Sequence, residues 1–420
     1  MVRSIERKDD IFKELHNLAK RNRSSSSKVD NLSDGESSPI VRGLNTIIVQ
    51  GVEKRASDIH LEPLREKLRV RYRIDGILYE EISLDISLHL PIISRLKIIS
   101  HLDITERKVP QDGKFQMEIE KKKIDFRVSI VPLITGEKAV IRILDREALD
   151  FNLEVLGFSQ GDYEKINYLI KRKSGILLSC GPTGSGKSSL IYSILKRLND
   201  GKVNISTVED PVEYEIEGVN QVQYNSDIGR DFATILKAYL RQDPDILMIG
   251  EIRDYETAEI AVKSALTGHL VLSTLHTNDS VSGIFRLLNI GIAKYMVSAS
   301  VIGLISQRLV RKLCPHCKEK DLNSLGKLSL LKIEGDKYRD REFYTGKGCE
   351  LCNYSGYKDR TAIFEILLVD EEIREEIDRG GSIQELEKLA KNRGMKSLIE
   401  DGIEKALLGI TSLDEIIRQG

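Results

Sequence analysis

Eight consecutive residues, Gly181-Pro182-Thr183-Gly184-Ser185-Gly186-Lys187-Ser188, place glycines, a lysine and a hydroxyl at the spacing of a loop that holds a chain of phosphates. Glycines let successive backbone N–H groups turn inward, and a helix starting at the loop's end adds positive potential there. In that reading the cradle runs from Gly181 to Ser189. Lys187 pairs with the β and γ phosphates of a nucleotide, and Ser188 ligates magnesium. The flanks agree: Gly175–Cys180 reads as a buried strand, and Leu190, Ile191, Ile194, Leu195 and Leu198 follow at helical spacing. A glycine-rich strand-to-helix turn with a chance lysine accounts for the loop but not for both flanks.

Open parallel sheets bind ligands beyond the carboxyl ends of their strands, and three further strand-like runs here end in chemistry. Val203–Val208 leads into Glu209-Asp210-Pro211 with Glu213 close behind, Asp245–Ile249 into Gly250-Glu251, and Leu270–Leu275 into His276. Glu251 is the candidate for orienting the attacking water, its competing role being a helix cap. Glu209 or Asp210 would hold water or magnesium, unless this is only a solvated acidic turn. Two roles fit His276: a sensor of the γ phosphate, or a structural histidine bonded to a backbone carbonyl. His269 is a weaker candidate. The loop alone does not separate ATP from GTP, and no guanine-reading motif stands out.

Cys314-Pro315-His316-Cys317 and Cys349-Glu350-Leu351-Cys352 form two C-x2-C hooks. Four thiolates suit tetrahedral zinc and leave no open coordination position, so the site would be structural. Redox pairs are the competing reading, but neither hook sits in a thioredoxin-like pattern. Cys180, at the end of an apolar strand, reads as core.

The elements that must carry these residues fall into segments. Residues 1–37 are charged and serine-rich and are expected to form a flexible lead-in. Residues 38–148 read as an α+β domain. It opens with a helix from Ile40 to Lys54, with Ser38 as cap and Pro39 in its first turn. In Leu68-Arg69-Val70-Arg71-Tyr72-Arg73-Ile74 apolar and basic residues alternate, and Asp75-Gly76 supplies a tight turn to Ile77. A second hairpin spans Ile124–Leu144 around Thr135-Gly136, with Ile124, Phe126, Val128 and Ile130 on one face. After a linker at 149–155, residues 156–310 alternate strands with helices, as in an α/β parallel sheet. Residues 311–360 hold the cysteines and 361–420 form a helical tail, with capping-box spacing at Ser382…Glu385 and Ser412…Glu415.

Bulk properties narrow the classes. The chain has 64 basic and 65 acidic residues, a balance that argues against wholesale nucleic-acid binding. No apolar run spans a bilayer. The longest, Tyr295–Ile305, is flanked by Lys294 and Arg308, and the polar start lacks a signal-peptide core. A cytoplasmic protein whose five cysteines are not disulfides is expected.

Taken in order, the motifs resemble the secretion ATPases of type II secretion and type IV pilus assembly over residues 38 to 420. Ala56-Ser57-Asp58-Ile59-His60-Leu61-Glu62-Pro63, Pro110-Gln111-Asp112-Gly113-Lys114 and Asp125-Phe126-Arg127-Val128-Ser129 look like the family's second N-terminal domain. Glu209–Glu213 is similar to its aspartate box, and Arg241–Asp254 to its Walker B region. Thr267–Asp279 matches its histidine box. Gln307-Arg308-Leu309 leads into the tetracysteine zinc module, which favours export or pilus extension over retraction.

The resemblance implies a RecA-like ATPase domain behind a PAS-like α+β domain, and a ring-shaped hexamer that binds ATP, Mg2+ and Zn2+. It implies peripheral attachment at the inner membrane through platform proteins, with Arg127 and Arg142 reaching toward phosphates. The chain departs from longer members in having only about 37 residues where those carry a further N-terminal domain. Two other classes compete: a nucleic-acid translocase using the Arg69, Arg71 and Arg73 face, and a scaffold that binds ATP without hydrolysing it.

Overall fold

A computed structural model describes residues 10–20, 38–145 and 151–419, and the chain divides into two compact units, Met1–Leu149 and Asp150–Gly420. The first unit is built on six antiparallel strands: β1 (Asp58–Pro63), β2 (Lys67–Ile74), β3 (Ile77–Asp85), β4 (Gln111–Ile119), β5 (Lys122–Leu133) and β6 (Gly136–Leu144). Their order is β3-β2-β1-β6-β5-β4. The alternation in β2 works as expected, since Leu68, Val70 and Tyr72 are fully buried and the arginines between them take the other face. Asp75 and Gly76 both adopt positive φ, 48° and 83°, which closes the β2–β3 hairpin. In β5, Ile124, Phe126, Val128 and Ile130 are likewise buried.

Three helices cover the apolar face of this sheet: α1 over residues 10–20, α2 (Pro39–Glu53) and α3 (His89–Ile99). Pro39 stands at the start of α2, where its missing N–H costs nothing. Ser38 occupies the cap position but makes no side-chain capping bond. Part of the expected flexible lead-in is therefore ordered. Leu15 and Ala19, four apart on α1, are buried beside Leu44, Ile47 and Ile48, because that spacing puts both on one helix face. The remainder of that expectation, residues 1–9 and 21–37, lies outside the described residues.

The second unit is centred on a seven-stranded sheet. Its strands are β7 (Gly175–Cys180), β8 (Ile205–Glu209), β9 (Asn220–Gln223), β10 (Ile246–Ile249), β11 (Leu270–Leu275), β12 (Val301–Leu313) and β15 (Tyr357–Leu368). The order is β15-β12-β7-β11-β10-β8-β9, with only β15 antiparallel to its neighbour. A separate two-stranded ribbon joins β13 (Lys318–Lys320) to β14 (Tyr344–Gly346). Strands covered on both faces are apolar throughout rather than alternating, which is why β7 and β11 are buried at every position.

Helices α4 (Gln160–Ile170) and α5 (Lys187–Leu198) pack on one face. The other face carries α6 (Phe232–Tyr239), α7 (Tyr255–Leu266), α8 (Ser280–Ile290) and α9 (Lys294–Ser300).

The boundaries drawn at 310 and 360 need correction. β12 continues to Leu313 and pairs with β15 from Gly303↔Leu368 to Leu313↔Tyr357. The cysteine segment is thus an insertion at the tip of a core hairpin, and part of the expected helical tail is a core strand. An antiparallel edge strand returning after a long insertion leaves no local periodicity to link it to its partner.

Beyond α10 (Ser324–Leu330), the tail proper comprises α11 (Glu371–Arg379), α12 (Ile383–Asn392), α13 (Leu398–Leu407) and α14 (Leu413–Gln419). Ser382 and Glu385 form a full capping box. Ser412 accepts from the Glu415 N–H, but the Glu415 carboxylate turns away to the N–H of Arg311 at 2.9 Å and its guanidinium at 2.7 Å. A further box joins Ser397 and Glu400.

Candidate functional site

β7 ends at Cys180, and the chain turns through Gly181, Gly184 and Gly186 with φ of 151°, 78° and 94°. α5 begins at Lys187, so its unpaired N-terminal N–H groups face the loop. Gly186 holds a φ of 94° that side chains rarely adopt, and a Cβ there would also stand 2.7 Å from the Gln307 side-chain nitrogen, so glycine suits the position. Pro182, Thr183, Gly184 and Ser188 are exposed, Ser189 is half-buried, and Ser185 and Lys187 are buried. The result is an open cradle of backbone N–H groups with a cation at its base. Lys187 Nζ donates to the carbonyls of Gly181 at 2.7 Å and Pro182 at 3.0 Å. Burial lowers its pKa, and the Glu251 carboxylate is among the groups that oppose this shift. The chemistry of this cradle fits a nucleotide's phosphates, and Ser188 offers an exposed hydroxyl at its end.

The polar strand ends converge on the same edge. Glu251 follows β10 and is mostly buried; its carboxylate is ion-paired with Arg253 and lies 3.5 Å from His276 Nε2 at the end of β11. Burial, and then the nearby Lys187 ammonium, lower the His276 pKa, so near neutrality the ring is uncharged. Arg253 also approaches Asp210 at 3.9 Å, which brings in the end of β8.

Glu209 points elsewhere. It is buried and accepts from the Tyr192 hydroxyl, from Thr207 Oγ1 at 2.6 Å and from Gln221 Nε2 at 3.1 Å. It thereby braces β8 against α5 and β9, and its neighbour Asp210 is the more open carboxylate. The Glu213 N–H reaches the same Tyr192 hydroxyl at 3.3 Å. His269 sits before β11, at the opposite sheet edge, with Nδ1 2.9 Å from the Ser264 carbonyl. Reading the sequence missed Arg253 and Tyr192. Arg253 stands two residues past Glu251 and was legible as its complement, whereas nothing local marks Tyr192.

In the first unit Arg127 and Arg142 face each other across β5 and β6. They line a cleft of about 590 Å³ together with Asp58, Asp112, Lys114 and Ser129. Arg142 Nε donates to Asp58 at 3.2 Å. The arginine row of β2 is also internally paired. Arg71 makes two bonds to Glu62, at 2.9 and 2.7 Å, Arg69 adds one at 3.0 Å, and Arg73 approaches Asp58 at 3.6 Å. Against the opposing effect of burial, Arg71 and Lys138 pull Glu62 down to about 2.

The four cysteines converge from the two ends of the insertion. Their sulfurs all lie within 4.8 Å of one another, with separations of 3.9 Å for Cys314–Cys349, 3.8 Å for Cys317–Cys352 and 3.7 Å for Cys349–Cys352. A zinc ion with four sulfurs at about 2.3 Å sets tetrahedral edges of about 3.8 Å, so the donor set fits that metal. The N–H groups of Cys349 and Gly356 donate to the Cys352 sulfur at 3.2 and 3.3 Å. Against the effect of burial they help bring its pKa down to about 6.

A family model described as Type II/IV secretion system protein matches residues 33–418. The chain is 46% identical over 385 residues to the type IV pilus assembly ATPase PilB of Myxococcus xanthus, covering 91% of this chain and 68% of that one. It is 43% identical over 389 residues to the type II secretion system protein HxcR of Pseudomonas aeruginosa, covering 93% and 79%. Among solved structures, the pilus retraction motor PilT with bound ADP is similar at a TM-score of 0.59 and 26% identity, over 89% of this chain and 96% of that one. With the phosphate cradle, the converging strand ends and these matches in agreement, the chain belongs to the type II/IV secretion system ATPase family.

Proposed function

We propose that this protein is an ATP-hydrolysing motor that powers type II protein secretion or type IV pilus assembly. The observation that carries the reading is the meeting of Lys187, Glu251 and His276 at one sheet edge beside the phosphate loop. Phosphoryl transfer to water asks a protein mainly for positioning and charge neutralisation. Backbone N–H groups of the loop and Lys187 hold the β and γ phosphates. Glu251 orients the attacking water and accepts its proton. Uncharged His276 contacts the γ-phosphate side, and Asp210 completes the acidic edge, with Glu209 bracing β8 behind it. Magnesium, held by Ser188, neutralises phosphate charge when bound. The four cysteines hold zinc as a structural tie.

The fuller assembly is also our reading. Six chains close into a ring through a head-to-tail contact. Arg127 and Arg142 of the first unit, which we read as PAS-like, engage phosphates of the bound nucleotide. Hydrolysis around the ring delivers the stroke to membrane platform proteins at the cytoplasmic face. Among the described residues no helix is long and apolar enough to cross a membrane, so attachment would run through those partners. The pairing of Arg69, Arg71 and Arg73 with Glu62 and Asp58 weakens the nucleic-acid alternative, because those charges already have partners.

Deleting the gene in its host, with surface pili, exported proteins and DNA uptake scored together, tests the reading. Loss of pili or of export is expected, restored by the parent gene and not by a Lys187→Ala copy. A deletion strain that keeps all three would overturn it.

A further inference from the structure

Gln307 follows Ser306, which pairs on β12 with Cys180, the last residue of β7. β12 therefore runs beside the point where the phosphate loop departs. Gln307 is 2% exposed, and its Nε2 donates to the Ser185 carbonyl at 2.8 Å. Its backbone carbonyl lies 3.0 Å from where a Cβ on Gly181 would stand, and its Nε2 lies 2.7 Å from one on Gly186. One residue outside the loop thus touches its first glycine, its middle carbonyl and its last glycine.

The chemistry of the amide is informative. Its Oε1 is buried without a hydrogen-bond partner among the described residues. An apolar side chain of the same length would fill the space without leaving that atom unpaired, so packing alone does not favour glutamine. The donor end has a specific task. A trans peptide is planar, so the Ser185 carbonyl and the Gly186 N–H point in opposite directions. Gly186, on one side of that peptide, is a glycine at positive φ, so the peptide has more freedom to flip than one between two residues with side chains. A donor on Ser185 O removes the freedom and keeps the Gly186 N–H turned away from β12, toward the cradle.

We propose that Gln307 is a positioning residue for nucleotide binding, which pins the Ser185–Gly186 peptide so that the loop's N–H groups are aimed before phosphate arrives. The inference rests on the phosphate-binding reading of the loop and is independent of the role of Glu251.

The test uses the full chain with a fluorescent ADP analogue titrated at constant salt between pH 6.5 and 9, alongside thermal melts without nucleotide. Gln307→Met keeps the length and removes the donor. It should weaken ADP binding by about tenfold while leaving the melting temperature at or above the parent's and the rate at saturating ATP within about twofold. Gln307→Glu, with an ordinary carboxyl pKa of about 4.3, is ionised across this range, cannot donate to Ser185 O, and should lose ADP affinity at least as far as Gln307→Met. Parent-like affinity in Gln307→Met would overturn the proposal alone, as would a loss of affinity accompanied by a lower melting temperature and a lower rate at saturating ATP. A parent chain that binds no ADP would instead overturn the phosphate-loop reading, and this proposal with it.

Discussion

The Glu251 carboxylate faces His276 Nε2 across 3.5 Å at the mouth of the phosphate loop, with Arg253 held on its other oxygen. Each partner comes from the end of a different strand or the turn after it, so the carboxylate is aimed by the sheet rather than by one flexible loop.

Replacing Glu251 by glutamine keeps the shape and removes the charge that we propose orients water. Hydrolysis should fall at least about a hundredfold while ADP affinity stays within a few-fold of the parent. Steady-state phosphate release and nucleotide titration measure the two separately. A parent-like turnover rate would remove Glu251 from the mechanism.

Lys187 is the cation at the base of the cradle, and it now spends its ammonium on the Gly181 and Pro182 carbonyls. Those bonds hold the side chain extended along the loop, ready to exchange carbonyl oxygens for phosphate oxygens. Lys187→Ala should abolish turnover and weaken ATP binding more than ADP binding, because the γ phosphate loses its partner. Equal losses for the two nucleotides would place the lysine away from the γ phosphate.

The histidines set the acid limit. Burial is the leading cause that lowers the pKa values of His60, His89 and His276 from the usual 6.5. The unfolded chain therefore binds more protons than the folded one as pH drops through that value. Stability contributed by the uncharged rings is full above about pH 6.5 and is lost as pH falls toward the folded-state pKa values. Thermal midpoints at pH 8 and pH 5.5 should show a decline on the acid side, and His89→Gln should reduce it. If His276 works uncharged, the ATPase rate should also fall in acid, and His276→Asn should flatten that limb of the profile.

Much of this was legible in the sequence wherever a pattern is local. β7, β11, the Asp75-Gly76 turn and the face of β5 follow from short-range alternation or continuous hydrophobicity. The phosphate loop and both cysteine hooks are contiguous motifs. What stayed hidden depends on partners far along the chain. β15 joins the core sheet only because β12 stands next to β7. Glu209 looked like a free acidic strand end until Tyr192 and Gln221 supplied its bonds. The basic face of β2 looked like a surface for nucleic acid because Glu62 and Asp58, on β1, carry no local sign of facing it. Gln307, in a motif that could be quoted but not interpreted, gained a role only when strand order placed it beside the loop.

The cysteine site makes a prediction in which the fifth cysteine is the control. Cys180 is fully buried at the end of β7, and burial pushes its thiol up to about 12, so it should stay unreactive while the fold persists. Purified protein should contain one zinc per chain. Stripping it with a strong chelator should expose four thiols to a thiol reagent under native conditions, and denaturant should add the fifth. The insertion spans Cys314 to Gly356, while the base of its hairpin is held separately by Arg311, which pairs with Glu415 and stacks 4.0 Å over the Tyr357 ring. Metal loss should therefore loosen the insertion first, seen as new proteolytic cuts between residues 318 and 348, with ADP affinity little changed. A Cys349→Ser chain should behave like the stripped parent. Metal-free protein with four reactive thiols as isolated, and no gain in protease resistance on adding zinc, would show that the cysteines pack together without serving as a metal site.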